Sequence, residues 1–69
     1  MELSARNQLP GTVTAITLGS VMAEVSIDIG DGKTIVAAVT RSSVAQLGLR
    51  EGSSVVAVIK ATEVMIGTR

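Results

Sequence analysis

The steadiest pattern in the chain runs from Val21 to Ile29. Val21, Ala23, Val25, Ile27 and Ile29 alternate with Met22, Glu24, Ser26 and Asp28. A period of two predicts a strand with one buried face. Upstream, Thr12–Leu18 is rich in β-branched residues and predicts the first strand, with a slip in alternation between Ala15 and Ile16 that predicts a bulge. Gly19-Ser20 separates the two as a turn. Downstream, Gly30-Asp31-Gly32-Lys33 has hairpin chemistry, because Asp-Gly tolerates the positive φ of tight turns. The third strand, Thr34–Thr40, places Ile35, Ala37 and Val39 on one face and Val36 and Ala38 on the other. A strand apolar on both faces in so short a chain predicts that its outer face meets another subunit.

The period then changes. Ser43-Val44-Ala45-Gln46 has the spacing of a capping box, with Ser43 as N-cap, and Gly48 fits a C-cap. The helix between them is short, with Val44 and Leu47 as its expected buried pair. Arg50-Glu51-Gly52 predicts a turn, Val55–Lys60 a fourth strand, Ala61-Thr62 a bend, and Glu63–Gly67 a fifth strand with Val64 and Ile66 inward. The predicted architecture is all-β: a five-stranded OB-like barrel with one short helix between strands 3 and 4. Residues 1–69 form one domain in this reading, without repeat, linker or low-complexity segment.

Composition narrows the function. The chain has 69 residues, with no Cys, no His and no aromatic side chain. So small a chain, lacking aromatic burial and any disulfide, is expected to complete its core by oligomerising. Six basic residues balance six acidic ones. That balance argues against nonspecific nucleic-acid binding, which needs a basic excess, and base stacking would need aromatics. No apolar run reaches the length of a membrane span, and Met1-Glu2-Leu3-Ser4 lacks a basic leader, so the expected compartment is the cytoplasm, with no membrane partner.

Catalysis is poorly provided for. General acid–base chemistry at neutral pH draws on His or a carboxylate of shifted pKa, and nucleophilic catalysis on an activated Ser, Cys or Lys. Glu24, Asp28, Asp31 and Glu51 read as solvated charges on a polar face or in turns. A non-catalytic binding protein without a covalent cofactor or metal ligands is the better reading. Its donors suit an anion: Ser4 and Arg6 before the first strand, Thr40 and Ser43 where the third strand meets the helix, and Lys60 with the Ala61 amide after the fourth strand. Singly, each has an ordinary role: Ser43 a cap, Lys60 a surface lysine, Arg6 a rim ion pair. Two other readings remain open: a structural module that docks a protein partner through its apolar strands, and a single-strand nucleic-acid binder.

Three motifs together resemble a known family. Ser4-Ala5-Arg6-Asn7-Gln8-Leu9 followed by Gly11, Thr40-Arg41-Ser42-Ser43 leading into Val44-Ala45-Gln46-Leu47-Gly48-Leu49, and Val58-Ile59-Lys60-Ala61-Thr62 are similar to the molbindins, the stand-alone Mop domains. The resemblance implies an OB-like fold, a homohexamer built as a trimer of dimers, and molybdate or tungstate held between subunits for storage, buffering or homeostasis. It also implies a residue set: Ser4, Arg6, Lys60 and Ala61 from one subunit, Thr40 and Ser43 from its neighbour. The family carries a second class of site near symmetry axes, for which the Gly19-Ser20-Val21 turn is the candidate. Arg41 adds a cation inside the Thr-to-Ser motif, either drawing anions or facing solvent.

Overall fold

A computed structural model describes residues 3–69 of the chain; Met1 and Glu2, on which the expectation about the N-terminus partly falls, lie outside the described residues. Strand β1 spans Asn7–Leu18, β2 Met22–Gly30 and β3 Lys33–Thr40; helix α1 spans Arg41–Leu47, β4 Ser54–Ile59, and a 3₁₀ turn Ala61–Glu63 follows. The four strands form one antiparallel sheet in the order β3-β2-β1-β4. The molecule is all-β, with its helix between strands 3 and 4 as expected. Among the described residues, no helix is long and apolar enough to cross a membrane.

β1 is longer than its apolar pattern predicted because it serves two partners. Its first half, Asn7–Thr12, pairs with β4, and its second half, Thr12–Leu18, pairs with β2. The register shifts between Val13 and Ala15, which leaves Thr14 as the extra residue. The bulge therefore falls just before the expected slip at Ala15–Ile16. The Val13 N–H donates to Ser53 O at 2.9 Å and Val13 O accepts from Gly52 N–H at 2.8 Å. With that backbone committed to the β4 side, a spare residue lets β1 turn toward β2.

Val13, Ala23, Val25, Ile27, Val44 and Ala57 are buried, and among the described residues no polar side chain is. β2 delivers three of them at alternate positions, the pattern read from the sequence. Val21, assigned to the same face, lies before the strand and is exposed. In the helix, Val44 closes one end of the core, while Leu47 is 72% exposed rather than buried. The chain leaves the helix at Gly48 (φ 63°), whose N–H donates to Ala45 O, and Leu49 N–H reaches Val44 O at 3.0 Å. This closure turns half-buried Leu49 onto the core in the place expected for Leu47.

The N-cap is Thr40, not Ser43. Thr40 Oγ1 accepts from Ser43 N–H at 3.1 Å, because the helix starts at Arg41, three residues earlier than the capping-box spacing indicated. The expected fifth strand does not form. Residues 61–63 make the 3₁₀ turn and residues 64–69 carry no strand, so the described residues form four strands rather than five. Val64, predicted inward, is half exposed, and Met65 and Ile66 are each 93% exposed. Between the edges of β3 and β4 lies an apolar trough of about 650 Å³, lined on one side by Ile35, Val36 and Val39 and on the other by Val56, Val58 and Ile59.

Gly11 sits where β1 passes from β4 to β2. A Cβ there would stand 2.6 Å from Asp28 O and 2.6 Å from Ile27 Cγ2. One obstacle is backbone of a paired strand, so it cannot move without breaking the ladder. Gly11→Ala is expected to destabilise the fold by about 1–3 kcal/mol, read from urea denaturation midpoints at fixed protein concentration. An unchanged midpoint would mean that β1 and β2 separate more easily than this packing requires.

Candidate functional site

The β1–β4 ladder ends with Asn7 opposite Ile59. Residues just before β1 and just after β4 must therefore lie side by side at that end of the sheet. They enclose a cavity of about 300 Å³ lined by Ser4, Ala5, Arg6, Lys60, Ala61 and Thr62. Among the described residues, the lining holds two cations, two hydroxyls and no carboxylate. Gln8, in the first turn of the ladder, anchors the N-terminal wall: its Nε2 donates to Ala5 O at 2.6 Å and contacts Leu3 O at 3.5 Å. Opposite it, the 3₁₀ turn is closed by Glu63 N–H donating to Lys60 O at 2.9 Å. A cavity walled by a fixed guanidinium fork, an ammonium and hydroxyls has the chemistry of an oxyanion receptor.

The structure thus places Ser4, Arg6, Lys60 and Ala61 around one cavity. Thr62 also lines it and was not singled out from the sequence, although it follows Lys60-Ala61 directly in the same motif. Thr40 and Ser43 are elsewhere. Thr40 pairs with Met22 at the start of β2, beyond the far end of β1 from Arg6. There Thr40 Oγ1 shares hydrogen bonds with Ser43 Oγ at 2.7 Å and Ser42 Oγ at 3.1 Å, a cluster of three hydroxyls over the first turn of the helix. Within one chain, the cation-lined cavity and the hydroxyl cluster occupy opposite ends of β1.

The Gly19-Ser20-Val21 turn lies against Arg41 at the start of the helix. Gly19 N–H donates to Met22 O at 2.7 Å, and Arg41 N–H donates to Val21 O at 2.8 Å. The Arg41 guanidinium donates from Nη1 to Gly19 O at 3.1 Å. Arg41 therefore clasps the β1–β2 turn to the start of the helix, a role its sequence context did not reveal, since the contact spans 22 positions.

Arg6 and Lys60 are exposed in the single chain. A unit charge 4 Å from another gains only about 1 kcal/mol in water, but about 4 kcal/mol at an effective dielectric near 20. In the open cavity, water screens the attraction that these two charges could exert.

Comparison with known proteins agrees with this architecture. The TOBE domain model matches residues 3–66. Molybdenum-pterin-binding protein 3 of Clostridium pasteurianum is 46% identical over 66 residues, covering 96% of this chain and 97% of that protein. Among solved structures, a molybdate-binding protein from Sporomusa ovata superposes with a TM-score of 0.92 at 44% identity, covering 99% of this chain and 100% of that one. The cytoplasmic molybdate-binding protein ModG, solved with molybdate bound, gives a TM-score of 0.84 at 51% identity; the match covers 88% of this chain and 43% of ModG. With its fold, its three motifs and these matches in agreement, the chain belongs to the TOBE-domain family, in its molbindin (Mop) group.

Proposed function

We propose that this chain is a non-catalytic receptor for molybdate or tungstate that acts as a cytoplasmic homo-oligomer and stores or buffers the oxyanion. The observation that carries the reading is the cavity of Ser4, Arg6, Lys60, Ala61 and Thr62, which gathers two cations and, among the described residues, no carboxylate. The charges of Arg6 and Lys60 together balance a dianion. Molybdate is fully deprotonated at neutral pH, so a shell of donors suffices for it. Hydrogen phosphate carries a proton that requires an acceptor, and among the described residues this lining offers no carboxylate to receive it. Sulfate matches molybdate in charge but is smaller, so it fills the cavity less well. The similar Sporomusa ovata protein and ModG are molybdate-binding, and ModG is cytoplasmic, which supports the same ligand and compartment.

The whole chain, residues 1–69, acts in this proposal as a single oxyanion-binding domain. Ser4, Arg6, Lys60 and Ala61 form one half of the site, and Thr40 and Ser43 of a neighbouring chain cover it in a hexamer of three dimers. The neighbour lowers the local dielectric and adds hydroxyl donors, which strengthens both ion pairs. The Gly19-Ser20-Val21 turn is the proposed second site, with Arg41 fixing its shape. The apolar trough and the exposed Val64, Met65 and Ile66 supply the self-association surface. A structural module docking a different protein would use the same trough, but it leaves the cation-lined cavity without a role.

Isothermal titration with molybdate, tungstate, sulfate and phosphate tests the ligand. The expected result is saturable binding of the first two with Kd at least about a hundredfold below that for sulfate, a difference of about 2.7 kcal/mol. Equal, weak heats from all four anions would overturn the proposal.

A further inference from the structure

The geometry points to Gln8 as a positioning residue that presets the Ser4–Arg6 wall of the oxyanion cavity. Gln8 does not line the cavity. It belongs to β1, where its backbone is held opposite Val58 of β4, so its Cα is as fixed as the ladder itself. From there the side chain turns back along the chain. Nε2 donates one hydrogen to Ala5 O at 2.6 Å and directs the other toward Leu3 O at 3.5 Å. Both acceptors are carbonyls, so the amide nitrogen, not its oxygen, must face them. Residues 3–6 lie outside any helix or strand and otherwise have no ladder to order them.

The consequence lies in where the two carbonyls sit. Ala5 falls between Ser4 and Arg6, so fixing its peptide sets the direction in which both neighbouring side chains leave the backbone. A receptor ordered before its ligand arrives loses less conformational entropy on binding than one ordered by the ligand. The carboxamide therefore contributes to affinity without touching the anion. This rests on the oxyanion reading for its functional consequence, whereas the ordering of the loop stands on the hydrogen bonds alone.

Two substitutions separate the roles. Gln8→Met keeps length and flexibility but removes the donor. Gln8→Glu keeps the shape and, when ionised, turns an acceptor toward two carbonyl oxygens. Backbone amide relaxation and hydrogen exchange in the anion-free protein read the order of residues 3–6, and titration with sodium molybdate reads affinity. In Gln8→Met, residues 3–6 are expected to lose order while Thr12–Leu18 keep theirs, and the molybdate Kd is expected to rise about tenfold. In Gln8→Glu the loop is disordered at neutral pH and regains order as pH falls through the carboxyl titration, which starts from an ordinary value of about 4.3 and is raised by donation from the protonated form. A purely space-filling Gln8 gives no such recovery. Unchanged loop order in Gln8→Met, or a Gln8→Glu loop indifferent to pH, would overturn the assignment. A wild-type chain that bound no oxyanion would remove the functional reading, and the loop measurements on the same samples would still decide the brace.

Discussion

Arg6→Ala and Lys60→Ala each weaken molybdate binding at least about a hundredfold, and the double variant shows no saturable heat. Truncating one partner of a buried, hydrogen-bonded charge pair costs about 2–5 kcal/mol, much of it from the charge left behind, and 2.7 kcal/mol is already a factor of about a hundred. Here the remaining charge is a dianion, so losing either cation leaves a net negative charge in the closed site. The fold should be indifferent. Both side chains are exposed and lie outside the strands, Arg6 before Asn7 and Lys60 after Ile59. Thermal unfolding without anion is therefore expected to stay within a few degrees of wild type, as for surface substitutions generally (about ±0.5 kcal/mol). Arg6→Lys sharpens the test, because it keeps the charge but loses the planar fork, and should fall between wild type and Arg6→Ala. Wild-type affinity in both alanine variants would show that the anion is held elsewhere.

The donors of the candidate site were legible in the sequence by their type, and their grouping only through the family resemblance. That Arg6 and Lys60 meet is set by the pairing of Asn7–Thr12 with β4, and Asn7–Gly11 belong to the half of β1 that the apolar pattern did not predict. Strand β2 was plain, because one buried face imposes strict alternation on Ala23, Val25 and Ile27. What escaped was set by contacts distant in sequence or by competition between neighbouring caps. Thr40 and Ser43 both bear hydroxyls able to cap the helix. Thr40 takes that place because β3 ends there, while the Thr40–Gln46 stretch offers the same local chemistry in either register. Leu47 fitted a buried helical position, but Gly48 ends the helix and hands the core to Leu49. Arg41 gave no sign of its Gly19 partner, since only the fold brings the two together. Val64 and Ile66 read as a strand because their alternation is that of a strand. The single chain simply leaves them without an edge to join.

That unspent pattern leads to the prediction with the widest reach: Ile66→Asp breaks the assembly and, with it, oxyanion binding. In one chain Ile66 touches almost nothing, being 93% exposed, so a charge there should leave the isolated fold unaltered. In the proposed oligomer the tail lies in the apolar trough of a second copy. Burying an aliphatic side chain contributes about 1.5–3 kcal/mol, and Val64, Met65 and Ile66 together contribute several times that. Twofold symmetry doubles both the gain and the damage, since each substitution enters the interface twice. An unpaired carboxylate forced into that surface costs several kcal/mol per copy. Sedimentation velocity is expected to show a discrete oligomer for wild type and a much smaller species for Ile66→Asp, with unchanged β-sheet circular dichroism. Molybdate affinity should fall together with assembly, because Thr40 and Ser43 of the neighbour no longer cover Arg6 and Lys60. A variant that sediments like wild type would place the interface elsewhere. A dispersed variant that still binds tightly would mean that one chain's cavity is sufficient, and the shared site would have to be abandoned.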